Sequence, residues 1–229
     1  MKNKIAKWLL IASLAFNVLF GIWGIRHYCQ VRQQIKEQAK FNWADITNNQ
    51  KMAVFSSLDI SRDDIVFVGN SLTENFPLEE LLPEFRIKNR GISGNLTSHI
   101  LGRIADVVKY NPKKIFLEGG INDLIAHGSA DSIFARYTAI LNIIQKNRIT
   151  AYVQSLLPTC MEYSNLNDAV IAFNERLKNY CNRKGFIYID IYSELVENGK
   201  LNETLTVDGL HLNVKGYQIW KTKIFPYLR

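Results

Sequence analysis

The serine after the first predicted strand is the residue best placed for nucleophilic chemistry. The apolar run VFV (residues 66–68) ends in Gly-Asn-Ser, which puts Ser71 at the tip of a turn. A serine hydroxyl attacks efficiently only when a neighbouring base takes its proton. Because glycine, asparagine and serine are also common turn residues, this segment alone is more typical of an ordinary turn.

The run DGLHLN (residues 208–213) contains the best candidate for that base. An aspartate three residues before a histidine can accept a hydrogen bond from one ring nitrogen, which leaves the other nitrogen free to act as base. Among the four histidines, His27 adjoins an apolar segment, while His99 and His127 have no acid at comparable spacing. The alternative is an Asp-Gly turn followed by a surface histidine. The sequence therefore favours the pair Asp208 and His211.

Two glycine-containing loops could stabilise an anion. The run NRGISGNLT (residues 89–97) precedes a predicted helix, and its backbone N–H groups could bind a negative charge. The run EGGIND (residues 118–123) follows another predicted strand, and Asn122 could aim its amide at a developing oxyanion. For both loops the alternative is a plain turn, with Asn95 or Thr97 capping the helix in the first case.

Short apolar runs alternate with helical periods from residue 64 onward. The runs are rich in Val, Ile, Phe and Tyr and predict strands at 65–68, 86–89, 114–117, 150–154 and 186–191. Apolar residues at helical spacing predict helices near 100–108, 133–144, 170–181 and 214–229. This alternation predicts a three-layer α/β/α domain of flavodoxin-like type, with a central, mostly parallel five-stranded sheet. Active sites of such sheets lie beyond the carboxyl ends of the strands, where three of the four motifs fall.

Taken in order, the four motifs resemble the SGNH hydrolase superfamily, also called GDSL-type lipases or acylhydrolases. The resemblance covers residues 60–229 and extends to QSLLP (residues 154–158), in a branch similar to platelet-activating-factor acetylhydrolase subunits and bacterial acetyl esterases. It implies a catalytic triad of Ser71, Asp208 and His211. It also implies an oxyanion hole made by the backbone N–H groups of Ser71 and Gly94 and the amide of Asn122.

One position departs from the family pattern. The family usually has Asp where this chain has Asn70. Because Asn keeps the shape and the hydrogen-bonding capacity of Asp but loses its charge, we expect tuned rather than abolished activity. Thr73 stands where the Gly-x-Ser-x-Gly turn of the unrelated α/β-hydrolases has its second glycine, which argues against that fold.

The N-terminal segment predicts a membrane anchor. Residues 8–25 (WLLIASLAFNVLFGIWGI) carry no charge and would span roughly 27 Å as a helix. Lysines precede the run, which places the N-terminus in the cytoplasm and the remainder outside. The alternatives are a cleaved signal peptide and a buried soluble helix, but the run exceeds a typical signal-peptide core and no small-x-small cleavage site follows. We expect a signal anchor over 1–30, a helical stalk over 31–58 and the hydrolase domain over 59–229. The stalk is either a juxtamembrane spacer or the first helix of the domain.

Charge and cysteine content exclude other classes. Residues 1–40 hold seven Lys and Arg against one acid, so the net charge of +7 leaves 21 basic and 20 acidic residues in 41–229. A nearly neutral body does not predict a nucleic-acid partner. No metal-ligand cluster and no phosphate loop with lysine occurs, so neither metal nor cofactor is predicted. Cys29, Cys160 and Cys181 do not form a disulfide scaffold, and two buried thiols are favoured over a Cys160–Cys181 bridge.

The resemblance implies a serine esterase that cleaves short acyl esters through an acyl-enzyme. The envelope location and the acetylesterase-like branch favour O-acetyl groups on carbohydrate outside the cytoplasm. A lysophospholipase is the second reading because the anchor would hold the site near the bilayer, and an acetyltransferase is a variant. A non-catalytic, membrane-tethered binding protein is the competing class. A binding protein, however, has no physical need for a complete triad.

Overall fold

The computed structural model describes the backbone of residues 2–229. The side chains of residues 1–7, 9–12, 15, 36–45 and 47 lie outside its described part. The chain divides into two compact units, residues 1–46 and 47–229. The second unit contains all the predicted site residues, whereas the predicted boundary at 58/59 stays a prediction.

Helix α1 spans Lys2–Ser56 and so covers both the apolar segment and the predicted stalk. Among the residues whose side chains are described, no helical segment is long and apolar enough to cross a membrane. The predicted span at 8–25 includes residues 9–12 and 15, whose side chains lie outside that set. The anchor therefore stays a prediction.

The second unit is an α/β fold. Its strands are β1 (Ile65–Gly69), β2 (Ile87–Gly91), β3 (Lys114–Leu117), β4 (Thr150–Gln154), β5 (Ile187–Ile189), β6 (Val196–Glu197) and β7 (Lys200–Leu201). Its further helices are α2 (Ser71–Glu74), α3 (Leu78–Leu81), α4 (Thr97–Val108), α5 (Ile121–Ile125), α6 (Ala130–Lys146), α7 (Asn167–Lys184), α8 (Tyr192–Leu195) and α9 (Val214–Ile224). Three 3₁₀ turns lie at Met161–Leu166, Glu203–Leu205 and Phe225–Tyr227.

The five-stranded sheet has the order β2-β1-β3-β4-β5, and every pair is parallel. The predicted central sheet with flanking helices is thereby confirmed. Strands β1 and β3 are buried along their whole length, as expected for the middle of a sheet covered on both faces. The strand order reverses at β1, and such a switch point opens a crevice at the carboxyl ends of the strands.

Right-handed crossovers place the helices on two faces of the sheet. The connection from β1 to β2 runs opposite to the later connections, so α2 and α3 lie on one face and α4, α6 and α7 on the other. Helix α9 packs on the α2–α3 face, where the rings of Tyr217 and Trp220 each pack against Phe76 with ring centroids 5.0 Å apart. Beneath them, Phe67, Phe116 and Tyr152 of three neighbouring strands stack in a row within the core.

Candidate active site

A chain of hydrogen bonds joins the three residues of the predicted triad. The Oγ of Ser71 lies 3.0 Å from Nε2 of His211, and Nδ1 of His211 lies 2.7 Å from Oδ2 of Asp208. The structure thus brings together a hydroxyl, an imidazole and a carboxylate in the order that nucleophilic catalysis requires. Ser71 is 8% exposed, and the side chain of His211 is 30% exposed.

The Asp208 loop orients the histidine through its own backbone. Oδ1 of Asp208 accepts hydrogen bonds from the backbone N–H groups of Leu210 and His211, which leaves Oδ2 to the ring. Partial burial tends to raise the pKa of Asp208. The hydrogen bonds from His211 and Leu210 outweigh this effect and hold that pKa below its ordinary value. Gly209 has φ 87° and lies against the carbonyl of Cys160, so only glycine fits this turn.

The predicted nucleophile, Ser71, is held where β1 meets α2. Asn70 caps α2, since its Oδ1 accepts from the backbone N–H of Leu72 at 2.8 Å. A Cβ at position 69 would lie 2.1 Å from Oγ1 of Thr73, so Gly69 permits the helix to begin immediately after the strand. From the other side, the Tyr217 hydroxyl donates to the carbonyl of Leu72 at 3.0 Å.

The predicted oxyanion residues lie at the neighbouring strand ends. The backbone N–H of Ile92 donates to the carbonyl of Gly69, which sets the loop after β2 beside the loop of Ser71. Gly94 has φ 75° in that loop. Asn122 donates one amide N–H to the carbonyl of Asn95 at 3.1 Å. Because an asparagine amide carries two N–H groups, its second remains for a ligand.

An ion pair that the sequence did not predict, between buried Asp123 and half-buried Arg136, lies next to Asn122. The carboxylate of Asp123 accepts from the backbone N–H and the hydroxyl of Thr97 and from Arg136, at 2.8, 2.7 and 2.9 Å. These bonds tie the residue after Asn122 to the start of α4. Arg136 carried no sequence signal, since it is one charged residue on an amphipathic helix.

A second buried carboxyl lies behind the nucleophile. Glu118, at the end of β3, is fully buried, and the Asn70 amide and the Thr73 hydroxyl donate to it at 3.5 and 3.4 Å. Burial raises the pKa of Glu118 to about 7, although the hydrogen bonds from Thr73 and Asn70 act in the opposite direction. Asn70, which departs from the family pattern, is therefore the residue that faces a buried acid.

Among its described side chains the structure contains neither a disulfide nor a metal-binding cluster. Cys160 and Cys181 are free and buried, so the Cys160–Cys181 bridge does not form. Within the described side chains, no group of three or more His, Cys, Asp or Glu could hold a metal ion.

The match to a known protein family identifies the class of this chain. Its residues 67–219, more than half of the chain, match the model of the GDSL-like lipase/acylhydrolase family. The chain therefore belongs to the GDSL-like lipase/acylhydrolase family, as the order of its four motifs predicted.

The individual proteins that resemble this chain share only 16–25% of its sequence. An N-acylneuraminate cytidylyltransferase of Streptococcus agalactiae is 25% identical over 64% of this chain, which spans only 34% of that protein's length. A Streptococcus pneumonia structure, described as a candidate platelet activating factor, superposes with a TM-score of 0.75 at 22% identity, over 85% of this chain and 99% of that one. A catalytic mutant of an acetylxylan esterase from Geobacillus stearothermophilus gives a TM-score of 0.63 at 16% identity, over 75% and 96%. At these identities the structural matches establish the fold.

Proposed function

We propose that the protein is a serine esterase that cleaves short acyl esters. The observation that carries the proposal is the hydrogen-bonded chain from Ser71 through His211 to Asp208. In the proposed mechanism, Ser71 attacks the ester carbonyl while Nε2 of His211 takes its proton. His211 returns that proton to the leaving alcohol. Water then hydrolyses the acyl-enzyme with His211 again as base.

Three donors stabilise the tetrahedral intermediate in this mechanism. They are the backbone N–H groups of Ser71 and Gly94 and the free amide N–H of Asn122. The position of Asn122 supports this role, because its amide already points at the loop that carries Gly94. Asp208 stays ionised throughout and stabilises the imidazolium that forms on His211.

The proposed substrate is an O-acetyl ester of a carbohydrate. The acetylxylan esterase among the structural relatives supports the O-acetyl ester, and the N-acylneuraminate cytidylyltransferase among the sequence relatives supports a carbohydrate as the alcohol component. We further propose that residues 8–25 anchor the protein and that the esterase unit lies outside the cytoplasm, on the grounds of the uncharged run and the lysines before it. A lysophospholipid ester is the second candidate, because such an anchor holds the site near lipid.

A substrate series tests the proposal. Full-length protein in detergent is assayed on p-nitrophenyl esters of increasing chain length, then on acetylated xylan and acetylated sialic acid, with Ser71→Ala as matched control. We expect turnover to be greatest on the acetyl ester and to vanish in the control. A maximum at long acyl chains would favour the lipid reading. Turnover that persists in the control, or none at all, would overturn the esterase assignment.

A further inference from the structure

The C-terminal end of helix α1 contacts the loop that carries Gly94. The carbonyl oxygen of the Asn48 side chain accepts a hydrogen bond from the Asn95 amide at 3.1 Å. The ammonium of Lys51 forms an ion pair with Glu74 at 2.7 Å. Asn48 and Lys51 are three residues apart and so lie on one helix face. Both belong to the same compact unit as the site.

Glu74 connects Lys51 to Ser93, the residue before Gly94. Its Oε2 accepts from the backbone N–H of Ser93 at 2.6 Å and from the Ser93 hydroxyl at 2.5 Å, while Oε1 faces Lys51. Partial burial tends to raise the pKa of Glu74, but the hydrogen bonds from Lys51 and Ser93 outweigh it and lower that pKa. The carboxylate is therefore ionised and bridges helix and loop.

Asn95 completes the support on the other side of Gly94. Its side chain is fully buried, with Oδ1 accepting from Nε of Arg103 at 2.9 Å and Nδ2 donating to Asn48. Its backbone carbonyl accepts from Asn122. The residues on both sides of Gly94 are thus fixed by α1, one directly and one through Glu74. Because Gly94 has φ 75°, its own backbone imposes little constraint.

We propose that Asn48 and Lys51 are positioning residues, which hold the Gly94 loop in its oxyanion-binding conformation. The proposal rests on the esterase function proposed above. Neither residue touches the reacting atoms. Lys51 acts through Glu74 on Ser93, and Asn48 acts on Asn95, whose carbonyl orients Asn122. Such an effect belongs to the transition state, since the oxyanion exists only there. The C-terminal end of α1 then supports the active site through the Gly94 loop.

Single substitutions in the full-length protein test the proposal. We expect Asn48→Ala and Lys51→Ala each to lower kcat about tenfold, and together about a hundredfold, with KM within twofold of wild type. Asn48→Asp keeps the acceptor and Lys51→Arg keeps the ion pair, so both should restore most of the rate. Asn49 and Gln50 are exposed on the same turn, so their alanine variants are matched controls and should behave as wild type.

Amide hydrogen exchange over residues 91–97 separates this proposal from the esterase assignment. We expect faster exchange in Asn48→Ala and Lys51→Ala at an unchanged melting temperature, and wild-type exchange in the Asn49 and Gln50 controls. Active variants with wild-type kcat and wild-type exchange would overturn the positioning role and leave the esterase intact. If the wild type has no esterase activity, the proposed function fails, and the exchange rates alone decide whether α1 holds the loop.

Discussion

In the proposed mechanism Ser71 and His211 form one chemical unit, because neither group can act without the other. The hydroxyl is a weak nucleophile until the imidazole takes its proton, and the 3.0 Å contact allows that transfer. We expect Ser71→Ala and His211→Ala each to remove nearly all esterase activity, and the double variant to lose no more than either alone. Steady-state rates and phosphonate labelling at Ser71 check this. Additive losses, or a label on another residue, would contradict a shared mechanism.

Asn122 tests the oxyanion assignment. Removing one donor to an oxyanion costs roughly a hundred- to a thousandfold in rate, or about 2.7–4 kcal/mol of barrier. We expect Asn122→Ala to lower kcat by that amount. Asn122→Asp should lower kcat equally, because it keeps the size of the side chain but not its N–H donor. If folded Asn122→Ala runs within a few-fold of wild type, the residue serves the turn alone.

Sequence alone named the groups with chemistry but not the groups that tune them. Ser71, Asp208 and His211 lie in short runs whose residue types and spacing have a chemical meaning. Glu118 has no such signal, because its raised pKa arises from burial beneath loops that are distant in the chain. The same holds for Asn48 and Lys51, which sequence analysis assigned to a stalk. Their partners lie 47 residues away at Asn95 and, for Lys51, at Glu74.

At the scale of elements, the close approach of α2 to the end of β2 positions the nucleophile against the Gly94 loop. A Cβ at Gly91 would lie 2.2 Å from the backbone nitrogen of Glu74, so the two elements touch without intervening side chains. The sequence predicted the five sheet strands to within about two residues at each end, because buried strands have a clear apolar signal. It did not predict α8 or the β6–β7 hairpin, which are short and depend on tertiary contacts.

The substitution Gly91→Ala tests the close contact between α2 and the end of β2. Since the clash is with backbone, α2 must move, and we expect a loss of about 1–3 kcal/mol in the free energy of unfolding together with reduced kcat. Gly102→Ala is the matched control, because a Cβ there meets nothing within 4 Å and the site is an exposed position of α4. That variant should be more stable than wild type by up to about 1 kcal/mol. Urea unfolding of both variants checks the contrast.

For the whole molecule, Glu118 links stability to pH. Its pKa rises from 4.5 to about 7 on folding, so the folded state binds the extra proton. The stability this contributes is fully present below pH 4.5 and is lost as pH rises to about 7, by about 3 kcal/mol. Glu118→Gln should remove this dependence between pH 5 and 8 and exceed wild-type stability at pH 8. Urea-unfolding midpoints of the wild type and of Glu118→Gln, measured at pH 5 and at pH 8, test this. If the midpoints of both proteins change equally with pH, Glu118 titrates normally.

The anchor prediction also belongs to the whole chain. If residues 8–25 stay in the mature protein, fractionation should leave the full-length chain in membranes after alkaline carbonate, with the esterase unit open to protease from outside. A chain that begins at Phe41 should be soluble and active on small esters, since it keeps Asn48, Lys51 and the triad. A native soluble form trimmed near residues 25–30 would show a cleaved signal peptide instead, and would contradict the anchor but not the location.

Ser71 and His211 are 140 positions apart in the chain, so they are synthesised at different times. At about 5–20 residues per second, a ribosome makes the histidine about 7–28 s after the serine. The last sheet strand, β5, ends at Ile189, so every strand of the sheet has been synthesised before the base exists. During that interval Ser71 is an ordinary hydroxyl with nothing to accept its proton. Under the proposed mechanism, a nascent chain therefore builds its sheet before it carries an ester-cleaving centre.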